Sequence, residues 1–109
     1  MSRAKGNIAE EKGVEYLLQN GFRVVERNFY SRFGEIDIIA IKDGVLHFIE
    51  VKSALDYEVA INNITKTKLS RIIKTAQIYM KKNSLEIDFS IDALIITPNG
   101  IDLIENITL

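Results

Sequence analysis

The sequence contains no cysteine and no tryptophan, and has one histidine and one proline in 109 residues. Without cysteine there are no disulfides, thiolate metal ligands or cysteine nucleophiles, so any metal must be held mainly by oxygen. With His47 as the only imidazole, neither a zinc site nor a Ser-His-Asp triad is expected. No apolar run approaches the roughly 20 residues of a membrane-spanning helix. The start, MSRAKGNIAEE, carries charges where a signal peptide would carry its apolar core. The expectation is a cytoplasmic protein without membrane association. Hydrophobic residues make up 47% and charged residues 27%, the balance of a folded chain long enough for one modest core, so residues 1–109 are expected to form one domain.

The net charge is only −1, with a pI of about 5.8, so the whole molecule has no general attraction for nucleic acid. The distribution is uneven, however. Between Ala60 and Leu85 lie six basic residues (Lys66, Lys68, Arg71, Lys74, Lys81 and Lys82) and no acidic one, which leaves the remainder of the chain at −7. That stretch is either a solvated helix face or a local basic surface.

Apolar residues Ile8, Ala9, Val14, Leu17 and Leu18 follow the helical period from Asn7 to Asn20, and Gly21 supplies a stop. The span Phe22 to Tyr30 reads as a strand. GEIDIIAIK and VLHFIEVKS flank Asp43-Gly44, the strongest short-range signal for a hairpin. A polar segment, Ala54 to Asn63, leads to a helix over Thr65 to Lys82 with Leu69, Ile72, Ile73, Ala76, Tyr79 and Met80 as its apolar stripe. DFSIDALIITP and IDLIENITL complete the chain as two strands joined around Pro98, Asn99 and Gly100. The order αβββαββ predicts an α/β fold, a mixed five-stranded sheet flanked by helices.

A two-residue turn at Asp43-Gly44 makes Lys42 face Val45, which sets Asp37 opposite Glu50 and Glu35 opposite Lys52. Strict alternation then projects Glu35, Asp37, Ile39, Phe48, Glu50 and Lys52 from one face, and His47 from the other. Two acids directly across a ladder repel. Full solvation, a shared proton or a divalent cation would offset that, and the competing structural reading is a polar face with a Glu35–Lys52 ion pair. On the first helix Glu10 shares a stripe with Val14, Leu17 and Gly21 and leans toward the packed side.

The pattern of Asp37, a hairpin, and then Glu50-Val51-Lys52 resembles the PD-(D/E)xK nuclease superfamily. With Gly6, Glu10, Tyr16-Leu17, NGF, ERNF, GEIDIIA, FIEVK, Lys68, Arg71 and DALIITPNGIDLIENI, nearly the whole chain resembles the small YraN-like family of endonuclease-like proteins. The arrangement is also similar to archaeal Holliday junction resolvases. Three positions depart from those patterns: Ile36 stands in place of proline, Ala9 in place of glycine before the helix glutamate, and Ala54 in place of a basic residue.

The resemblance implies a restriction-endonuclease-like core in which Asp37, Glu50 and the Val51 carbonyl hold Mg²⁺, with Mn²⁺ able to substitute. It implies that Lys52 positions or activates the attacking water, that Glu10 completes the metal site or orients water, and that Lys68 and Arg71 contact nucleic acid, most simply DNA. The expected activity is Mg²⁺-dependent hydrolysis of DNA phosphodiesters, structure-selective as in a junction resolvase, which would call for a homodimer. The alternative is a non-catalytic nucleic-acid-binding or accessory protein that retains the fold.

Overall fold

The computed structural model describes the backbone of residues 3–108 and the side chains of residues 8–108. Helix α1 (Arg3–Gln19) is followed by β1 (Arg23–Ser31), β2 (Gly34–Lys42), β3 (Val45–Ser53), α2 (Tyr57–Asn62), α3 (Lys66–Lys82), β4 (Phe89–Thr97) and β5 (Gly100–Ile104). The five strands form one sheet in sequential order; β3 and β4 run parallel and every other pair is antiparallel. Parallel neighbours need a crossover, and α2 with α3 provides it. The mixed five-stranded sheet flanked by helices is thus present, with the order αβββααββ.

Apart from shifts of one residue at element ends, three expectations change. Helix α1 starts at Arg3 rather than Asn7, because its first turn has no apolar periodicity to announce it. The polar segment after Ala54 contains α2, a six-residue helix too short to show a period, whose N-cap Asp56 accepts the Val59 N–H at 2.9 Å. The last strand ends at Ile104 rather than running through IDLIENITL. Asn106 turns the chain at φ 59° and Ile107 N–H bonds Ile91 O at 2.8 Å. Met1, Ser2 and Leu109 lie outside the described residues.

Each face of the sheet has its own core. Phe29, Ile36, Ile39, Leu46, Phe48 and Ile91 pack with Ile72, Ala76 and Tyr79 of α3. Ile38, Ala40, Ile49 and Leu94 pack with Phe22 and Leu17 of α1 on the other side. A Cβ on Gly13 would come within 2.7 Å of Leu94 Cδ2, so this glycine is what lets α1 lie close against the sheet. Glu10 sits one turn earlier on the same stripe.

The Asp43-Gly44 turn has φ values of 52° and 78°, as a two-residue hairpin with positive φ at both positions requires. It holds the expected register from Lys42↔Val45 to Ile38↔Ile49. Beyond that pair the two strands part company. Ile36 and Glu35 pair with Phe29 and Tyr30 of β1, while Glu50 through Ser53 pair with Ala93 through Ile96 of β4. The candidate site lies at this fork.

Candidate metal and phosphate site

Asp37 and Glu50 meet where β2 and β3 separate, although they are not partners in the strand ladder. Asp37 Oδ2 accepts the Val51 N–H at 2.8 Å, so a side chain takes the place of a backbone acceptor at the fork. Burial pushes the Asp37 carboxyl up to about 8, helped by a hydrogen bond to Glu50 and by its charge; the Val51 N–H and Lys52 oppose the rise. Asp37 therefore keeps its proton near neutral pH and can donate it to Glu50. Lys52 Nζ is 3.8 Å from Glu50 Oε2. Among the described residues Lys52 forms no ion pair with Glu35, which corrects the strict-alternation expectation: Glu35 pairs with Tyr30 because β2 has left β3 by that point.

Alternation itself fails around Asp37. Ile38 and Ala40 face α1, yet Ile36, two residues away from Ile38, packs on the α3 side. On the neighbouring strand β1, Asn28 lies at the same level with φ 53°. Arg27 and Asn28 are consecutive, but both reach α1: Arg27 Nη1 donates to Glu11 Oε1 at 2.6 Å and Asn28 Nδ2 to Glu10 Oε1 at 2.9 Å. Phe29 then falls into the opposite core together with its partner Ile36. The side chains of both strands thus change phase at this level, while the pairing stays in register from Arg27↔Ile38 to Phe29↔Ile36. Asparagine tolerates a positive φ better than most side chains, which is the only hint of this feature in the sequence.

Glu10 is held at the edge of the site. Its side chain is 14% exposed, hydrogen-bonded by Asn28 and 3.7 Å from Arg27 Nη2. Burial, then repulsion from Asp37 and Glu35, raises its pKa, while Arg27 acts in the opposite direction. It feels the Asp37 charge but does not join Asp37 and Glu50 in a tight set of three ligands among the described residues. Val51 contributes its N–H to Asp37.

Lys68 comes to the site from α3, whose N-cap Thr65 accepts the Lys68 N–H at 3.2 Å. Its ammonium contacts that of Lys52, which lowers the Lys68 pKa; desolvation adds to the fall and Glu50 opposes it. Arg71 lies farther along α3, exposed, beside Gly34 in the β1–β2 turn.

A second cluster gathers His47, Asp92 and Glu105 within 4.8 Å. His47 lies on the other side of β3, as expected, edge-on to Phe22. Its Nδ1 lies 2.6 Å from Asp92 Oδ2; Asp92 Oδ1 accepts from Ser90 Oγ and from the Asn106 N–H. Both Asp92 oxygens are thus engaged, and this fully buried carboxylate acts as an anchor for the strand ends.

Asp37 and Glu50 at a strand fork, with Lys52 and Lys68 beside them, define an α/β domain with a carboxylate-lysine site. A family model described as "Uncharacterised protein family UPF0102" matches residues 9–104. A "UPF0102 protein" of Sulfurimonas denitrificans (strain ATCC 33889 / DSM 1251) is 62% identical over 109 residues, covering 100% of both chains. Another, from Aliarcobacter butzleri (strain RM4018), is 53% identical with the same full coverage. "UPF0102 protein HPAG1_0809" of Helicobacter pylori (strain HPAG1) is 54% identical, over 97% of this chain and 92% of the relative. The chain belongs to the UPF0102 family.

Proposed function

We propose that this protein is a Mg²⁺-dependent endonuclease that hydrolyses DNA phosphodiesters, built on a restriction-endonuclease-like core of the PD-(D/E)xK type. The observation that carries the reading is the meeting of Asp37 and Glu50 at the fork, with Lys52 within 3.8 Å of Glu50. Two acids pressed together at the cost of ionisation are a poor structural choice and a good oxygen donor set for a hard divalent cation. Asp37 and Glu50 would hold the cation, Mg²⁺ or Mn²⁺, and Glu10 would take part through its charge or through water. When bound, the cation supplies a Lewis acid for a phosphate oxygen and a more acidic water.

The chain's own contribution is charge and position. Lys52 holds the attacking water or offsets charge on the phosphorus centre, with its ammonium kept near the carboxylates by Glu50. Lys52 and Lys68 repel each other where they touch, and an anionic phosphate between them would relieve that repulsion. The pair therefore fits a phosphodiester better than a neutral substrate. Branched DNA is the proposed preference, since the β1–β2, β2–β3 and β4–β5 connections are two-residue turns that offer no base-reading loop, and a junction would engage a symmetric dimer.

A panel of linear, flap, single-stranded and four-way-junction DNAs with Mg²⁺ or Mn²⁺ tests this reading. Cleavage of a branched substrate that disappears in Glu50→Ala is the expected result. Absence of cleavage on every substrate, with salt-sensitive binding retained, would leave a non-catalytic nucleic-acid-binding protein instead. Lys52→Met should stay folded and bind the cation, yet cut at least about 10²-fold more slowly, the usual loss for a positioned acid-base or electrostatic group. Its stability should change by less than about 1 kcal/mol, because the weak pair with Glu50 is lost together with the clash with Lys68. A Lys52→Met protein that cuts at the parental rate overturns the role given to Lys52.

A further inference from the structure

The β1–β2 turn carries Arg32 and Phe33, which the proposed site does not use. Ser31 Oγ lies 2.7 Å from Thr75 Oγ1, and the Phe33 N–H donates to Ser31 Oγ at 3.0 Å, so the turn is fastened to α3. A Cβ on Gly34 would lie 3.9 Å from Arg71 Cβ. The Phe33 ring has Arg32 Cζ at 4.9 Å and Lys74 Nζ at 5.1 Å from its centroid. Three exposed cations, Arg32, Arg71 and Lys74, are thereby gathered around one turn. None of them has a carboxylate within ion-pair distance among the described residues, where the ion pairs involve only Arg27, His47 and Lys52.

We propose that Arg32, Arg71 and Lys74 form a track for a DNA phosphate backbone that begins at Lys52 and Lys68 and leads away from the site, with Phe33 orienting Arg32 and Lys74. The proposal rests on the nucleic-acid reading given above and extends it to a hairpin turn far in sequence from α3. Cations that have no carboxylate partner and are held side by side favour an anion with repeated charge. From Lys68 to Lys74 the helix rises about 9 Å, room for two or three phosphates at about 3.4 Å of axial rise each. Phe33 is half-buried, with a cation near its ring on two counts, which suits it to hold side chains rather than to stack on a base. Lys82, also on α3, lies 5.7 Å from the Phe29 ring near the other end of the helix and is off the track.

The test is binding of a short labelled linear DNA duplex to the full chain, by fluorescence anisotropy over a salt series without divalent cations. Cleavage therefore plays no part in the readout. Arg32→Ala should lower the slope of log affinity against log salt by about 0.9, the value of one lost phosphate contact, and Arg32→Lys should restore most of it. Phe33→Ala should weaken binding with a smaller change in slope, since it removes no charge. Lys82→Ala should leave the parental slope. A parent that binds with a clear salt slope while Arg32→Ala matches it, or Lys82→Ala loses as much, overturns the track and leaves the nucleic-acid reading standing. A parent with no salt-sensitive binding overturns both.

Discussion

Asp37→Asn should give a protein that is more stable than the parent in the absence of divalent cations and that lacks the cation binding proposed for the parent. The two effects have one cause. Burial and the neighbouring Glu50 hold the Asp37 carboxyl up to about 8, whereas it ionises near 3.8 when unperturbed. Between those values the folded protein keeps a proton that the unfolded chain has released. Stability from this group is therefore fully present below about pH 4 and declines as pH rises toward about 8. Asparagine has no proton to lose, can still accept the Val51 N–H, and can donate to Glu50 as the protonated acid does.

Thermal melts in EDTA should show the parent losing stability from pH 5 to pH 8 relative to Asp37→Asn. At pH 8 the variant should be ahead by at least about 1 kcal/mol, or about 4–8 °C in a domain of this size. Mg²⁺ or Mn²⁺ should remove the parent's deficit and leave the variant unmoved. Since binding displaces one proton, calorimetry should find cation affinity tightening by up to about tenfold per pH unit below pH 8. An Asp37→Asn protein that is less stable than the parent at every pH would show that the Asp37–Glu50 contact is a structural asset, and the cation reading would lose its main support.

Asp92→Ala should have a large effect of the opposite kind, a loss of about 3–5 kcal/mol with the site chemistry unaltered. Asp92 is 0% exposed, and its oxygens hold His47, Ser90 and the N–H of Asn106. Removing it leaves the buried His47 without its acceptor and frees the turn that follows β5. Urea unfolding measures the loss, and cation binding by the folded fraction should equal that of the parent. A loss below about 1 kcal/mol would overturn the anchor role, and a loss of cation binding in the folded protein would make the His47 cluster part of the site.

The hairpin was legible because its cause is local. Asp43-Gly44 supplies the two positive φ angles, and the β-rich runs on either side can pair in only one register across that turn. The register continued from that turn points to Asp37 and Glu50 as neighbours and to His47 on the other side, although the β2–β3 ladder itself stops at Ile38↔Ile49. The apolar stripe of α3 was equally plain, since Ile72, Ala76 and Tyr79 recur at helical spacing and all are buried. The short α2 had no period to read. The bond of Asp92 to His47 joins positions 45 residues apart that nothing in the intervening sequence connects.

The sequence by itself determined the elements and most of their order, the hairpin register near its turn, and the set of acids and lysines available for chemistry. Local turn geometry and side-chain periodicity specify those features over a few residues. Only the tertiary structure decided how the acids meet. Beyond Ile38 and Ile49 the two strands lose each other while β2 stays paired with β1 and β3 with β4, so the fork that receives Asp37 depends on β1 and β4 as much as on the hairpin. The phase shift at Asn28, the restraint of Glu10 by Arg27 and Asn28, and the approach of Lys68 to Lys52 also arise from packing between distant segments. Periodicity describes which side of an element is apolar; it carries no information about which distant side chain will occupy the space beside it.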